Sequence, residues 1–120
     1  MDLAEVEKLF NAEINSISQS ELIATIDEHK IPLRIESREW DYSNNFNEYQ
    51  CCIVLEDKNT NTAVAYCNEG FGPSYPWGLL FLTGKHLSMG MDSAWFASLD
   101  DAVRESMLWH DENPENYEVQ

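Results

Sequence analysis

Basic residues are scarce in this chain. Seven Lys and Arg stand against 22 Asp and Glu, for a formal net charge of −15. Nucleic-acid binding relies on clustered Lys and Arg at phosphates, so direct nucleic-acid binding is not expected. Anionic membrane surfaces are disfavoured for the same reason. Cysteine is scarce too: Cys51, Cys52 and Cys67 are odd in number and make no disulfide framework. Three histidines, His29, His86 and His110, form no HExxH pattern and no zinc-type spacing with cysteine. Neither a metal nor a cofactor is therefore expected.

Long apolar runs are missing as well. The longest clean one, Leu79 to Leu82, is far too short to span a bilayer. Met1 to Glu5 is acidic where a secretory leader needs a basic segment. The expectation is a cytoplasmic protein with reduced thiols. No internal repeat and no low-complexity block is visible.

What the chain does have is enough apolar material for a core. Apolar residues make up 43% and charged residues 24% of 120 positions, with four Trp, five Tyr and five Phe to be packed. A chain of this length buries roughly 65% of its unfolded surface, so a single domain over 1–120 is expected. Residues 111–120 carry four acids and no base, which marks a mobile tail.

Periodicity predicts two N-terminal helices. Leu3, Val6, Phe10, Ile14 and Ile17 follow helical spacing after a candidate cap at Asp2. Ser18 and Glu21 form a capping-box pattern for a second helix, with Ile17 and Leu22 as a hydrophobic staple and Pro32 beyond its stop. Alternation then predicts strands over Ile31–Glu36, Tyr49–Glu56 and Thr62–Asn68, with a turn at Asp57–Asn61. A further pair is expected from Trp77–Thr83 and a strand somewhere in His86–Ala97, of unclear register because Gly90 and Met91 interrupt the pattern. Ser98 caps a C-terminal helix expected to reach His110, with Asp100 and Asp101 in its first turn. The sum is an α+β fold: two helices, an antiparallel sheet of four to five strands, and a C-terminal helix packed on one sheet face.

Three groups of residues are candidates for chemistry. Adjacent Cys51 and Cys52 point to opposite faces of one strand, and Cys67 falls opposite one of them across the hairpin. That makes either a cross-strand thiol pair or three small buried residues. The segment Gly70-Phe71-Gly72-Pro73-Ser74-Tyr75-Pro76-Trp77-Gly78 begins like a dinucleotide fingerprint, but Tyr75 stands where the third glycine belongs. What is left is three aromatics, Phe71, Tyr75 and Trp77, on a stiff turn, as interface anchors or as core closure. Trp40, Tyr42, Phe46 and Tyr49 lie among Glu39, Asp41 and Glu48, a mixture suited to a cationic partner.

Charge, aromatics and the lack of catalytic motifs point together to an acidic, non-enzymatic binding protein. It would inhibit or mask a basic partner such as a nuclease or nucleic-acid-binding complex. An immunity protein, an antitoxin or a phage anti-defence inhibitor acting by nucleic-acid mimicry all fit this description. The expected contact residues are Trp40, Asp41, Tyr42, Glu48, Phe71, Tyr75 and Trp77. A second class stays compatible: a small enzyme or ligand-binding domain with a pocket at Gly70–Gly78, or a self-assembling subunit.

Overall fold

The computed structural model describes residues 1–40, 47–84 and 87–120. Helix α1 spans Leu3–Asn15 and α2 spans Ser20–His29. Five strands follow: β1 Lys30–Glu39, β2 Glu48–Asp57, β3 Thr62–Tyr66, β4 Trp77–Phe81 and β5 Trp95–Phe96. Helix α3 spans Leu99–Arg104. The strands pair antiparallel in chain order, β1 to β5, so the fold is α+β with a meander sheet.

Local chemistry accounts for the elements. The Asp2 carboxylate accepts from Ala4 N at 3.0 Å and caps α1. The β2–β3 hairpin is closed by Asp57, whose two oxygens accept from Asn59 N and from the Thr60 hydroxyl at 3.0 Å each. Asn61 takes the left-handed conformation at φ 58° that asparagine tolerates. Helix α3 is short and needs its caps. Ser98 Oγ accepts from Asp101 N at 3.1 Å, and Glu13 of α1 accepts from Leu99 N at 2.8 Å.

Both faces of the sheet are covered. On one, α1, α2 and α3 bury Val6, Phe10, Leu22, Ile26, Leu99 and Val103 against Cys52, Val54, Leu55, Val64 and Trp77. A register shift between Ile53 and Leu55 breaks the alternation there, which lets β2 put Val54 and Leu55 on the same side. On the other face Cys51, Ile53, Ala63, Ala65 and Leu80 lie beneath Met89 and Trp95. Among the described residues no α-helix covers this second face. It is roofed by the irregular segments around Phe71 and Met89, so it is neither solvent-exposed nor an open working surface. Trp95 lies flat over Gly78, where any Cβ would run into its indole ring. Its Nε1 donates to Met89 O at 2.6 Å and holds the roof down.

Several sequence expectations shift. Helix α2 begins at Ser20 behind Gln19, not behind Ser18, and Gln19 makes no side-chain cap bond. Ile17 and Leu22 are nevertheless both buried in the helix-side core. The strand sought in His86–Ala97 is only Trp95–Phe96, and His86 itself lies outside the described residues. Helix α3 stops at Arg104 and not at His110. Ser106 Oγ donates to Val103 O at 2.6 Å and accepts from Leu108 N at 3.1 Å, which turns the chain out of the helix.

Residues 111–120 return over α3. Arg104 sits between the rings of Trp109 and Tyr117, 5.5 and 5.2 Å from their centroids. It also donates to Asp100 Oδ1 at 2.6 Å and to Asn113 Oδ1 at 2.9 Å. Gln120 N reaches Asp101 Oδ2 at 3.1 Å. Arg104→Gln is expected to release the tail and lower stability by about 2 kcal/mol. Hydrogen exchange would show it as faster exchange confined to residues 105–120. An unchanged tail would mean that Arg104 is not its clamp.

Candidate partner interface

The concave, helix-free face carries a charged line. Register pairs Arg34 with Ile53, Glu36 with Cys51 and Arg38 with Tyr49, so all three β1 side chains lie on this face. Arg34 donates to Glu36 Oε2 and to Glu56 Oε2, each at 2.8 Å. Arg38 donates to Glu36 Oε1 at 2.8 Å and to the Phe81 carbonyl at 2.9 Å. Strands β1 and β4 stand three strand spacings apart, roughly 14 Å in a flat sheet. One arginine does not reach that far, so the sheet must curl, and the small residues Ala63 and Ala65 leave room for it. Arg38 is 2% exposed.

Burial alone would raise the Glu36 pKa. Hydrogen bonds from Arg34 and Arg38 outweigh that and hold its carboxyl below the usual value. Its stabilising contribution is therefore complete above the unfolded carboxylate pKa of about 4.3. It is lost as pH falls through the lower folded value. The stability gap between wild type and Glu36→Gln, read by urea denaturation, should be full near neutral pH and close at acid pH. Arg38→Met should cost about 3 kcal/mol near neutral pH, because it leaves a carboxylate and a carbonyl unanswered. A Glu36→Gln gap independent of pH would show that charge is not its source.

The predicted contact residues divide into three groups. Trp40 and Phe71, from distant parts of the sequence, meet edge-on with centroids 4.4 Å apart. Tyr49 and Trp95 extend the group at 6.0 and 6.1 Å. Trp40 and Phe71 are half-buried, so they serve the second core as well as its rim. Gly70, at φ +63°, lets the loop pass beside Trp40 and Met89. Glu48 is exposed, and register sets it directly opposite the exposed Glu39. Tyr75 is 48% exposed. Trp77 is a correction: it is 3% exposed, wedged between Phe10 and Tyr66 in the helix-side core, and it offers no surface to a partner. Asp41, Tyr42 and Phe46 lie outside the described residues.

Register resolves the cysteines. Cys52 pairs with Tyr66, which sets Cys67 opposite Cys51. All three are free thiols with no exposed surface. The hydrogen bond with Cys67, then burial, push the Cys51 pKa far up. Burial pushes Cys52 up to about 11. Neither is an activated nucleophile, since the thiolate is the reactive form; the hydrogen bond with Cys51 draws the Cys67 pKa down, but Cys67 has no exposed surface for a reagent to reach. Iodoacetamide at neutral pH should leave the folded protein unlabelled and modify all three cysteines once it is denatured. Rapid labelling of one site in the folded state would restore a thiol-based activity. Among the described residues, no group of three or more His, Cys, Asp or Glu is placed to hold a metal ion. His29, near the end of α2, has its Nδ1 2.8 Å from Thr25 O, a structural contact. No helix among the described residues is long and apolar enough to cross a membrane.

One surface was not anticipated. An apolar groove of about 460 Å³ lies along the outer side of β4, between the Leu87–Ala94 segment and the end of α3. Phe81, Met91 and Met107 line it and are 62%, 64% and 58% exposed. The sequence signal was weak: Phe81 reads as part of a buried run, and Met91 as an interruption. Compared with known proteins, the chain matches no family model, no curated protein and no solved structure.

Proposed function

We propose that the protein is an acidic, non-enzymatic binding protein that inhibits or masks a basic, nucleic-acid-binding partner, its carboxylates standing in for phosphates. The observation that carries this is how the cations are used. All three arginines are tied into internal pairs, Arg34 with Glu36 and Glu56, Arg38 with Glu36, and Arg104 with Asp100. Lys30 is paired with Asp27. These pairs engage four carboxylates, against 22 in the chain. The surface offered to a partner is therefore overwhelmingly carboxylate, which favours fast, salt-sensitive association with a positive groove.

Glu39 and Glu48 support the same function. Like charges directly opposite across an antiparallel pair destabilise it. A cationic partner converts that cost into binding energy. The test is capture from host lysate with the tagged protein, eluted stepwise with salt, beside an unrelated bait of similar negative charge and a nuclease-treated lysate. One basic protein retained at stoichiometric level and absent from the control is expected. Glu48→Gln should then raise Tm slightly while weakening that complex, and Tyr75→Ala should weaken it with no change of fold. A smear of basic proteins shared with the control bait would overturn the proposal.

A further inference from the structure

Cys51 and Cys67 occupy a close-approach position between two strands. Strand β2 pairs Cys52 with Tyr66, and the same register one residue on sets Cys51 opposite Cys67. Cys67 N donates to Pro76 O at 2.8 Å, so the Cys67 backbone is turned toward β4 and away from β2. Cys51 and Cys67 are therefore a non-hydrogen-bonded pair, the closer of the two kinds, with Cα atoms about 4.5 Å apart. A disulfide spans Cα separations of about 4.4–6.8 Å, so this position accepts one without backbone movement. Both side chains lie in the second core, and the Cys51 thiol donates a hydrogen bond to the Cys67 sulfur. Cys52 points the other way, into the helix-side core, and its cross-strand neighbour is Tyr66.

Neither thiol of the pair is exposed in the folded state. Cys67, however, lies at the foot of the segment 68–76 that joins β3 to β4. Asn68, Glu69, Pro73, Ser74 and Tyr75 of that segment are exposed. Among the described residues it is held by two backbone hydrogen bonds outside the strands, Gly72 N to Glu69 O and Cys67 N to Pro76 O, and both close on the loop itself. Such a loop opens at less cost than the strands beneath it. Hydrogen peroxide, little larger than a water molecule, enters through an opening too small for an alkylating reagent.

We propose that Cys51 and Cys67 are a modification site, a dithiol that hydrogen peroxide closes to a reversible disulfide. Cys67 is the attacking sulfur, because the hydrogen bond from Cys51 favours its thiolate. Its S–O bond to one peroxide oxygen forms as the O–O bond breaks, and the departing hydroxide takes up the proton that Cys67 gave up. The Cys51 sulfur then attacks the Cys67 sulfur. The S–S bond forms, the S–O bond breaks, and the sulfenic oxygen leaves as water with the Cys51 proton. Two thiols have lost two electrons and two protons, and one peroxide has become two waters. A small dithiol reverses the bond by exchange. While it lasts, the bond ties β2 to the base of the loop that carries Phe71 and Tyr75.

The test treats the folded protein with millimolar hydrogen peroxide at neutral pH. The protein is then denatured, blocked with N-ethylmaleimide and mapped by mass spectrometry. Untreated protein should take up a label at each of its three thiols. Treated protein should take up one, at Cys52, with Cys51 and Cys67 joined, and dithiothreitol should restore the rest. The oxidised form should melt roughly 5 °C or more above the reduced form, since the bond constrains the unfolded chain. Cys51→Ala should stop at a sulfenic acid on Cys67 that dimedone traps, and Cys52→Ala should oxidise as wild type does. The wild-type map decides the matter even if an alanine variant fails to fold. Unchanged thiols, a bond to Cys52 or between molecules, or sulfinic acid on Cys67 with Cys51 still free would overturn the proposal. A lower melting temperature for the oxidised form would show a strained bond and overturn it as well.

Discussion

The guanidinium of Arg38 is the contact on which the concave half of the molecule depends. It reaches from an edge strand across the face of the sheet to the Phe81 carbonyl, with Glu36 neutralising it from behind. A buried cation without both partners would cost several kcal/mol, so the sheet must curl until both are in reach. The same curl brings the Glu39 carbonyl within 3.0 Å of Met89 N, which seats the roof whose side chains fill the second core. Arg34, shared with Glu56, continues the line and together with Arg38 holds the Glu36 carboxyl below its usual value. A polar chain thus sets the shape into which Cys51, Ile53, Met89 and Trp95 pack. This reverses the usual order, in which apolar packing comes first and polar groups adjust.

Covering both faces with unlike materials has a consequence at the edge. The helix side ends at Met107 and the roof ends at the 3-10 turn of Asp92–Ala94, and they do not meet over β4. Strand β5 is two residues long and cannot close the gap. At the opposite edge, β1 is protected by the Met89 N–H on Glu39, by Pro32, which has no N–H to offer, and by the bulge between Lys30 and Arg34. One edge is guarded by three devices while the other presents Phe81, Met91 and Met107 to solvent.

Much of the fold was legible because its determinants are local. Asp2, Ser98 and the Asp57–Asn61 turn act through bonds to residues two or three positions away, and the alternation of β2 lies within one strand. The misses have several sources. Helix α2 starts at Ser20 behind Gln19, although Ile17 and Leu22 are both buried as the pattern at Ser18 expected. Helix α3 ends early because of the Ser106 hydroxyl, and the returning tail depends on aromatic rings five and thirteen residues beyond Arg104. Of the expected contact residues, Trp40 and Phe71 do come together, but Trp77 is spent on the core, since a buried and an exposed tryptophan look alike in sequence. The groove was invisible for a further reason. Its walls, the Leu87–Ala94 segment and the end of α3, come together only in three dimensions.

Net charge and arginine placement belong to one argument. A chain with 22 acids has few cations to spend, and a solvent-exposed ion pair adds little to stability. Two of its three arginines are instead buried, Arg38 at 2% and Arg104 at 9% exposure, where each organises a region no helix or long strand supports. Arg38 secures the roof and Arg104 the tail. With the cations drawn inward, carboxylates dominate the outside by default, and their mutual repulsion is the cost of that arrangement. A basic partner of the kind proposed would relieve that repulsion on binding. The same distribution that holds the irregular parts of the fold together therefore leaves the outside anionic.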